Sequence, residues 1–330
     1  MRIRPRGCLR WLARAVLIVV GCLVLAEIGL RIVGHRYQSR FWEESAALHG
    51  GADRVTILAL GESTTAGLWL PGKDSYPKQL ERMLRRHYGT DRVEVLIPPH
   101  IGQNTSQMVH RYPRYLQTFE PAVVILMAGV NNSWSLAESN LGEFMPQGNW
   151  RTWAFRFRRW ADGVKVFRLA RLLAADSRER WRAMQSDLAG QPHFTSWPPP
   201  NDPLVRDIGM EPFLELWRSD VGWMIDEARA AGAAVILMTY PNYETPPVTE
   251  LVAMSRARSV PLVENHASFL PILEEGRAAD FFFEDMRHPN ASGYAIVAEN
   301  AFRAVLESGV LDERLGADAG ATTETTGAGR

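Results

Sequence analysis

The stretch that decides the fold is residues 55–65, which read VTILALGESTT. Apolar and β-branched residues lead directly into Gly61, and a short run of this kind predicts a strand that is buried on both faces. Strands that are apolar on both faces are typical of parallel sheets. Further runs of the same kind lie at 93–97, 122–128 and 233–239, with a weaker one at 260–263. The sequence therefore predicts a mainly parallel sheet of about five strands.

Helix-period segments alternate with these strands. In residues 76–88 Leu80, Met83 and Leu84 share one face, and residues 211–231 repeat apolar side chains at the same spacing. Alternation of strand and helix predicts an α/β domain, here a three-layer α/β/α sandwich.

Composition excludes several classes of protein. The chain has 330 residues, 46% of them hydrophobic, which is enough for one large core and excludes a disordered chain. Its 37 basic and 37 acidic side chains balance, so no nucleic-acid partner is expected. Cys8 and Cys22 both lie near the amino terminus and the histidines lack paired ligand spacing, so no metal site and no cofactor are expected. Residues 67–73 (GLWLPGK) imitate a phosphate-binding loop, but Asp74 stands where Ser or Thr would bind magnesium.

The amino terminus predicts a membrane anchor. An apolar run at 15–26 belongs to a segment, 11–30, that is long enough to cross a bilayer, with Glu27 one turn from its end. Because more arginines precede the run than follow it, the amino terminus is expected in the cytoplasm and the remaining chain outside. The arginines before it are Arg2, Arg4, Arg6, Arg10 and Arg14, and those after it are Arg31, Arg36 and Arg40.

Two alternatives to the anchor stay open. A cleaved signal peptide would need a small-residue cleavage site, which residues 23–27 do not offer convincingly. Residues 19–22 (VVGC) resemble a lipoprotein signal in which Cys22 is lipidated, but the apolar run continues past Cys22. All three interpretations place the protein outside the cytoplasm, and the favoured anchor places it in the inner membrane as a single-pass protein whose main domain is periplasmic or extracellular.

These features predict the domain organisation. We expect a cytoplasmic basic tip and transmembrane anchor at 1–34, a membrane-proximal linker at 35–53, the α/β domain at 54–314 and a disordered tail at 315–330. The connection after the third strand is too long for one crossover helix, so a helical, aromatic segment is inserted at about 135–210. Its aromatics alternate with arginines, which suits a membrane surface or an anionic ligand. We favour the ordinary alternative, in which the aromatics cover the core and the arginines face solvent.

Residues able to perform chemistry follow the ends of the predicted strands. Ser63 comes two residues after Gly61, at the edge of the sheet where α/β proteins bind ligands. A serine nucleophile needs a base, and Asp285 and His288 are spaced so that the carboxylate can orient the imidazole. Asn131, directly after the third strand, can donate to an oxyanion.

Together these residues resemble the SGNH or GDSL-type esterase and lipase superfamily, over residues 54–311. Its first block, Gly-Asp-Ser, has its Glu variant at residues 61–63; its third block, Gly-x-Asn-Asp, is similar to residues 129–132. Its last block, Asp-x-x-His, is similar to residues 285–288. The resemblance implies an SGNH fold related to the flavodoxin-like sandwich.

The resemblance also implies a role for each site residue. Ser63 is the nucleophile, His288 the general base and then acid, and Asp285 its orienting partner. The oxyanion hole consists of the Ser63 amide, the Asn131 side chain and a backbone amide from the second block. That block departs from the family pattern, so the amide comes from Gly102 or from Gln103. The remaining departures, Glu62 and Asn132, are expected to be structural.

The sequence thus predicts a membrane-anchored, extracytoplasmic serine esterase that acts on an acyl ester, O-acetyl esters included. The substrate is expected to be a small molecule or a glycan or lipid ester. Transfer of the acyl group to a cell-envelope or exopolysaccharide glycan uses the same residues and stays an alternative, as does a non-catalytic binding domain on the same scaffold. The sequence does not identify protein partners.

Overall fold

The fold is built on one parallel sheet. The computed structural model describes residues 5–49, 54–98, 101–175, 202–242 and 246–316. Its five strands lie in the order β2-β1-β3-β4-β5, and every neighbouring pair is parallel. This confirms the predicted sheet. The strands are β1 (Val55–Gly61), β2 (Val93–Leu96), β3 (Val123–Met127), β4 (Ala234–Met238) and β5 (Leu262–Val263).

Helices connect and cover the strands. The predicted segments at 76–88 and 211–231 are helical, and the second ends one residue earlier than expected. In chain order the helices that precede a last helical stretch at 310–316 are α1 (Pro5–His49), α2 (Ser63–Ala66), α3 (Tyr76–Tyr88), α4 (Thr105–Phe119), α5 (Trp150–Asp162), α6 (Lys165–Ala175), α7 (Glu211–Ala230), α8 (Val248–Arg258), α9 (Asn265–Glu274), α10 (Ala278–Phe281) and α11 (Ala291–Glu307).

The two faces of the sheet carry separate hydrophobic cores. Alternate residues of β1 point to opposite faces: Leu58 and Leu60 contact the layer of α4, α7 and α8, while Ile57 and Ala59 contact the layer of α3, α9 and α11. Both cores are apolar, which explains why the strand sequences do not alternate with polar residues. The predicted three-layer α/β/α sandwich is confirmed.

The amino-terminal helix α1 extends further than predicted. It continues to His49, so the expected linker at 35–53 is helical over its described part. Within the described residues one helical segment, Arg14–Arg36, is long and apolar enough to cross a membrane, and none of its residues is fully buried. The segment qualifies as a candidate span by its length and its composition.

The inserted segment departs from the prediction. It forms α5 and α6, while residues 176–201 lie outside the described part of the chain. On α5 only Phe155 among the aromatics is buried, whereas Trp150, Trp153, Phe157 and Trp160 are exposed. The expectation that the aromatics cover the core is therefore wrong for this helix.

The carboxyl-terminal boundary also shifts. Residues 310–316 are helical, and Leu315 packs against the core on the α11 side. The predicted tail thus begins at least two residues too early, because the apolar Leu315 gains burial. Residues 317–330 lie outside the described residues.

Candidate active site

Three predicted site residues form a continuous hydrogen-bonded chain at the carboxyl edge of the sheet. Ser63 is the first residue of α2, directly beyond β1. Its Oγ lies 2.8 Å from Nε2 of His288, and Nδ1 of His288 lies 2.5 Å from Oδ2 of Asp285. The His288 side chain is only 13% exposed. An imidazole held this way can accept a proton from the serine while the carboxylate stabilises the imidazolium.

A tight turn between α10 and α11 holds the imidazole in place. Oδ1 of Asp285 accepts from the backbone N–H groups of Arg287 and His288, at 2.9 and 3.0 Å. The turn closes where the Phe283 N–H donates to the carbonyl of His288, at 2.9 Å. Met286 adopts a left-handed backbone with φ of 54°, and its carbonyl accepts from the amide of Asn242. The turn therefore fixes both ends of the Asp285–His288 pair.

The same contacts keep Asp285 ionised. Partial burial raises the pKa of this carboxyl, but the hydrogen bonds from the His288 ring and from the backbone of His288 and Arg287 outweigh burial and lower the pKa to about 2. Asp285 is consequently a carboxylate at any ordinary working pH. A permanent negative charge at Nδ1 is what an imidazole base requires.

The amide and glycine predicted for the oxyanion hole lie in adjacent loops. Asn131 follows β3 in a 3₁₀ turn, is buried, and donates through Nδ2 to the carbonyl of Gln103 at 2.9 Å. Gly102 precedes Gln103 with φ of +70°, a backbone that favours glycine. Because β1 pairs with both β2 and β3, the loops that follow these strands flank Ser63.

The carboxyl of Glu62, next to Ser63, was predicted to have a structural role. Glu62 is fully buried; its Oε1 accepts from the Gly129 N–H at 2.7 Å and its Oε2 from the hydroxyl of Tyr240. Burial raises the pKa of Glu62 to about 7 against the opposing effect of these hydrogen bonds. Gly129 has φ of +127°, and a Cβ there would lie 2.5 Å from the Trp217 ring. Glu62 thus ties the loop after β1 to the loop after β3.

A second buried network fixes the start of α4 against the turn that carries Asn131. Oδ1 of Asn132 accepts from the Thr105 N–H at 2.9 Å, and its Nδ2 donates to the Thr105 hydroxyl at 2.9 Å. The hydroxyls of Thr105 and Ser106 donate to Oδ2 of Asp220, at 2.7 and 2.9 Å. Burial raises the pKa of Asp220. Asn104 begins the helix with a capping box to Gln107.

Sequence reasoning missed Tyr240 and Asp220. Tyr240 comes two residues after β4, so the rule that singled out Ser63 and Asn131, polar residues just past a strand, also points to it. Asp220 lies in the middle of α7 among apolar residues, where one buried acid is the signal for a buried hydrogen-bond network. In the described ranges no group of three or more His, Cys, Asp or Glu side chains is arranged to hold a metal ion.

The sequence that forms this site matches a known protein family. The model described as "GDSL-like Lipase/Acylhydrolase family" matches residues 59–296, which is more than two thirds of the chain. The chain belongs to this family and is an ester-hydrolysing enzyme. The resemblance drawn from the three sequence blocks is confirmed.

Several solved structures of esterases match the chain at low sequence identity. They include the psychrotrophic esterase EstA from Pseudoalteromonas sp. (14% identity, 76% of this chain and 97% of that chain, TM-score 0.43). A lipase/acylhydrolase from Enterococcus faecalis matches at 15% identity over 76% of this chain and 95% of that one, TM-score 0.44. An acetyl xylan esterase matches at 15% identity over 76% and 100%, TM-score 0.46. No curated protein sequence matches the chain.

Proposed function

We propose that this family member is a membrane-anchored serine esterase that works outside the cytoplasm through an acyl-serine intermediate. One observation carries the proposal: the unbroken chain from Ser63 Oγ through His288 to the ionised Asp285, with contacts of 2.8 and 2.5 Å. The family assignment supplies the reaction class, ester hydrolysis. The residue roles and the location are our inference from the site and the sequence.

In the first half-reaction Ser63 Oγ attacks the carbonyl carbon of the ester and its proton moves to Nε2 of His288. The tetrahedral intermediate that forms carries a negative oxygen. When it collapses, the bond to the alcohol breaks, and the departing alcohol takes the proton from His288. The acyl group is then bonded to Ser63.

Three donors are assigned to the negative oxygen: the backbone N–H groups of Ser63 and Gly102 and the Nδ2 group of Asn131. Asn131 uses one Nδ2 hydrogen for the carbonyl of Gln103, which orients the second. We assign the backbone donor to Gly102, because its φ of +70° favours a residue without Cβ at this loop. Donors fixed before the reaction stabilise the transition state without reorganisation.

In the second half-reaction water gives a proton to Nε2 of His288 and attacks the acyl carbon. The bond from the acyl carbon to Ser63 Oγ then breaks as His288 returns the proton to Oγ, which releases the carboxylic acid and restores Ser63. A glycan hydroxyl in place of water would make the enzyme an acyltransferase with the same residues. The fate of the acyl-serine is therefore what separates hydrolysis from transfer.

The test compares full-length wild type with Ser63→Ala in mild detergent, by release of p-nitrophenol from acetyl and longer acyl esters. We expect Ser63→Ala to lose about 10⁵–10⁶ in kcat, because the other triad members act only through the serine. Ser292→Ala, an exposed serine near the same turn, is the matched control and should keep wild-type activity. Equal activity of wild type and Ser63→Ala would overturn the serine mechanism.

A second measurement separates hydrolysis from transfer. A fluorophosphonate probe labels an activated serine regardless of the natural acceptor, so wild type should be labelled and Ser63→Ala should not. Labelling together with steady release of acid in water supports hydrolysis. Labelling with one burst of p-nitrophenol, and turnover only after a glycan acceptor is added, would assign the enzyme to acyl transfer.

The membrane location has its own support and its own test. The exposed apolar segment Arg14–Arg36 and the arginines that precede it favour a single span with the catalytic domain in the periplasm or outside the cell. The chain should stay in the membrane pellet after extraction with alkaline carbonate. A reporter that folds only outside the cytoplasm, fused after residue 316, should be active, and an inactive reporter would contradict this orientation.

A further inference from the structure

The helix α5 presents an aromatic face that the described part of the domain does not cover. Trp150, Trp153, Phe157 and Trp160 recur at helical spacing and are 69%, 69%, 52% and 68% exposed. Trp153 stacks on Phe157 with ring centroids 5.5 Å apart, and Phe157 lies 5.6 Å from Trp160. We call these four side chains the aromatic face. A contiguous patch of this kind is rare on a surface that faces only water.

The arginines of α5 face the protein instead. Arg158 pairs with Asp202 at 2.5 Å and Arg151 with Asp207 at 2.8 Å. Arg156 donates to the carbonyl of Gly142 at 2.7 Å. Helix α5 is thus attached to the domain by the buried Phe155 and by these polar contacts, while its four other aromatic side chains point away from the described part of the domain.

The turn between α5 and α6 is bonded to the candidate membrane span. Arg31 of α1 donates to the carbonyl of Gly163 at 3.0 Å, and Glu27 of α1 accepts from the Val166 N–H at 2.9 Å. Glu27 and Arg31 also pair with each other at 2.7 Å. The two charges that interrupt the apolar segment are therefore satisfied by this turn, which is the arrangement that charged groups in a membrane need.

These contacts relate the depth of the turn to the end of the candidate span. At about 1.5 Å per residue, Glu27 and Arg31 lie roughly 14 and 8 Å before the end of the span at Arg36. One leaflet of hydrocarbon is about 15 Å thick. With Arg14–Arg36 spanning the bilayer as proposed, the turn of α5 and α6 would lie within the leaflet on the domain's side, next to the Trp160 end of the aromatic face. Phe167 and Leu169 are also exposed on α6.

We propose that the aromatic face of α5 is embedded in that leaflet as an interfacial helix, so that the enzyme is held by α1 and by a second, monotopic contact. The occupant is phospholipid, because the face is continuous with the membrane-spanning helix. Tryptophan is the side chain enriched at the membrane–water boundary. The proposal rests on the membrane anchoring proposed above.

The experiment measures lipid contact at single positions of the full chain. On a Cys8→Ser, Cys22→Ser background, one cysteine is introduced by Trp153→Cys or Trp160→Cys in α5 and labelled with an environment-sensitive fluorophore. Leu25→Cys in α1 reports the span, and Arg86→Cys, exposed on α3 across the sheet, reports the aqueous side. Each protein is reconstituted in vesicles of phosphatidylglycerol and phosphatidylcholine, with and without bromine on the acyl chains.

We expect labels at 153 and 160 to be quenched by brominated lipid at least half as strongly as the label at 25, since interfacial helices lie about 5–10 Å deep. The label at 86 should not be quenched. If the label at position 25 is quenched but the labels at 153 and 160 are as little quenched as the label at 86, the membrane anchor is supported and this inference fails. If 25 is not quenched, the anchor itself fails. A blue-shifted label at 153 that bromine does not quench would mean that protein covers the face, which also overturns the inference.

A triple substitution tests whether the aromatic side chains themselves cause the contact with lipid. With a reporter at Trp150→Cys, the substitutions Trp153→Gln, Phe157→Gln and Trp160→Gln should abolish quenching, while release of p-nitrophenol from the soluble acetyl ester stays at the wild-type rate. Leu270→Gln, an exposed apolar residue on α9, is the matched control and should leave quenching unchanged. Quenching that survives the triple substitution would contradict a role for the aromatic face.

Discussion

The carboxyl edge of the sheet and the helix α5 differ in which side chains they bury and which they expose. At the sheet edge the polar side chains are buried or half-buried and find their partners inside the domain, as Glu62 does with Gly129 and Tyr240. On α5 the polar side chains are also bonded to the domain, but the large apolar ones are exposed. Buried polar groups thus organise the candidate active site, whereas α5 leaves large aromatic side chains exposed, as the proposed contact with lipid requires.

Removal of the Asp285 carboxylate beside His288 should have the largest effect at the edge of the sheet. We expect Asp285→Asn to lower kcat by about 10³–10⁴, because the amide leaves the imidazole without its charge partner and favours the wrong tautomer. Since the pKa of Asp285 is about 2, the wild-type activity at neutral pH should show no titration of this group. The kcat of both proteins on p-nitrophenyl acetate between pH 5 and 9 checks this.

Asp280→Asn, an exposed acid on α10, is the control and should leave kcat unchanged. The contacts of Asp285 also predict acid sensitivity. Its folded pKa is depressed below the ordinary 3.8, so the stability it contributes is present above about pH 4 and is lost as the pH falls toward 2. An Asp285→Asn variant with near wild-type kcat would remove the carboxylate from the proposed mechanism.

A smaller loss is expected at the oxyanion. Asn131→Ala removes one donor and should lower kcat by about 10²–10³, with little change in KM, because the donor acts on charge that exists only in the transition state. Asn140→Ala, in the later 3₁₀ turn, is the control and keeps Asn131 intact. A rise in KM with kcat unchanged would instead assign Asn131 to substrate binding.

The buried Glu62 predicts a pH-dependent stability. Its pKa is 4.5 in the unfolded chain and about 7 in the folded protein, so the folded state binds this proton more tightly. The free energy of unfolding should therefore fall as the pH rises from about 4.5 to 7, by about 3 kcal/mol, and then level off. Glu62→Gln should remove this fall, as measured by urea titration of the full chain in detergent micelles.

Glu215→Gln, an exposed acid on α7, is the matched control and should keep the wild-type slope. The slope reports burial of the carboxyl, so it does not depend on which ester is hydrolysed. If Glu62→Gln retains the fall in stability, the titrating group lies elsewhere and Glu62 is solvated in the folded protein.

The sequence was sufficient where local chemistry determines structure. Buried strands, the helix at 76–88 and the residues just past the strands all follow from short patterns, so Ser63, Asn131 and the turn at 285–288 were found at the sheet edge. Contacts between segments that are distant in the sequence could not be predicted. Tyr240 and Asp220 act through tertiary partners that no spacing shows, and the orientation of α5 depends on acids at 202 and 207 that bind its arginines.

The smallest expected effect, that of Trp153→Ala, is compared with the effect of the nearby Phe155→Ala to distinguish the two sides of α5. Phe155 is buried beneath the helix, 5.1 Å from the Arg158 guanidinium, so Phe155→Ala should cost about 3–5 kcal/mol of unfolding free energy. Trp153, two residues earlier and exposed, loses only its stacking on Phe157, so Trp153→Ala should cost less than about 1 kcal/mol. Urea titrations in the same detergent compare the two variants directly. Equal costs would show that protein packs on both sides of α5, and the aromatic face would then belong to the core after all.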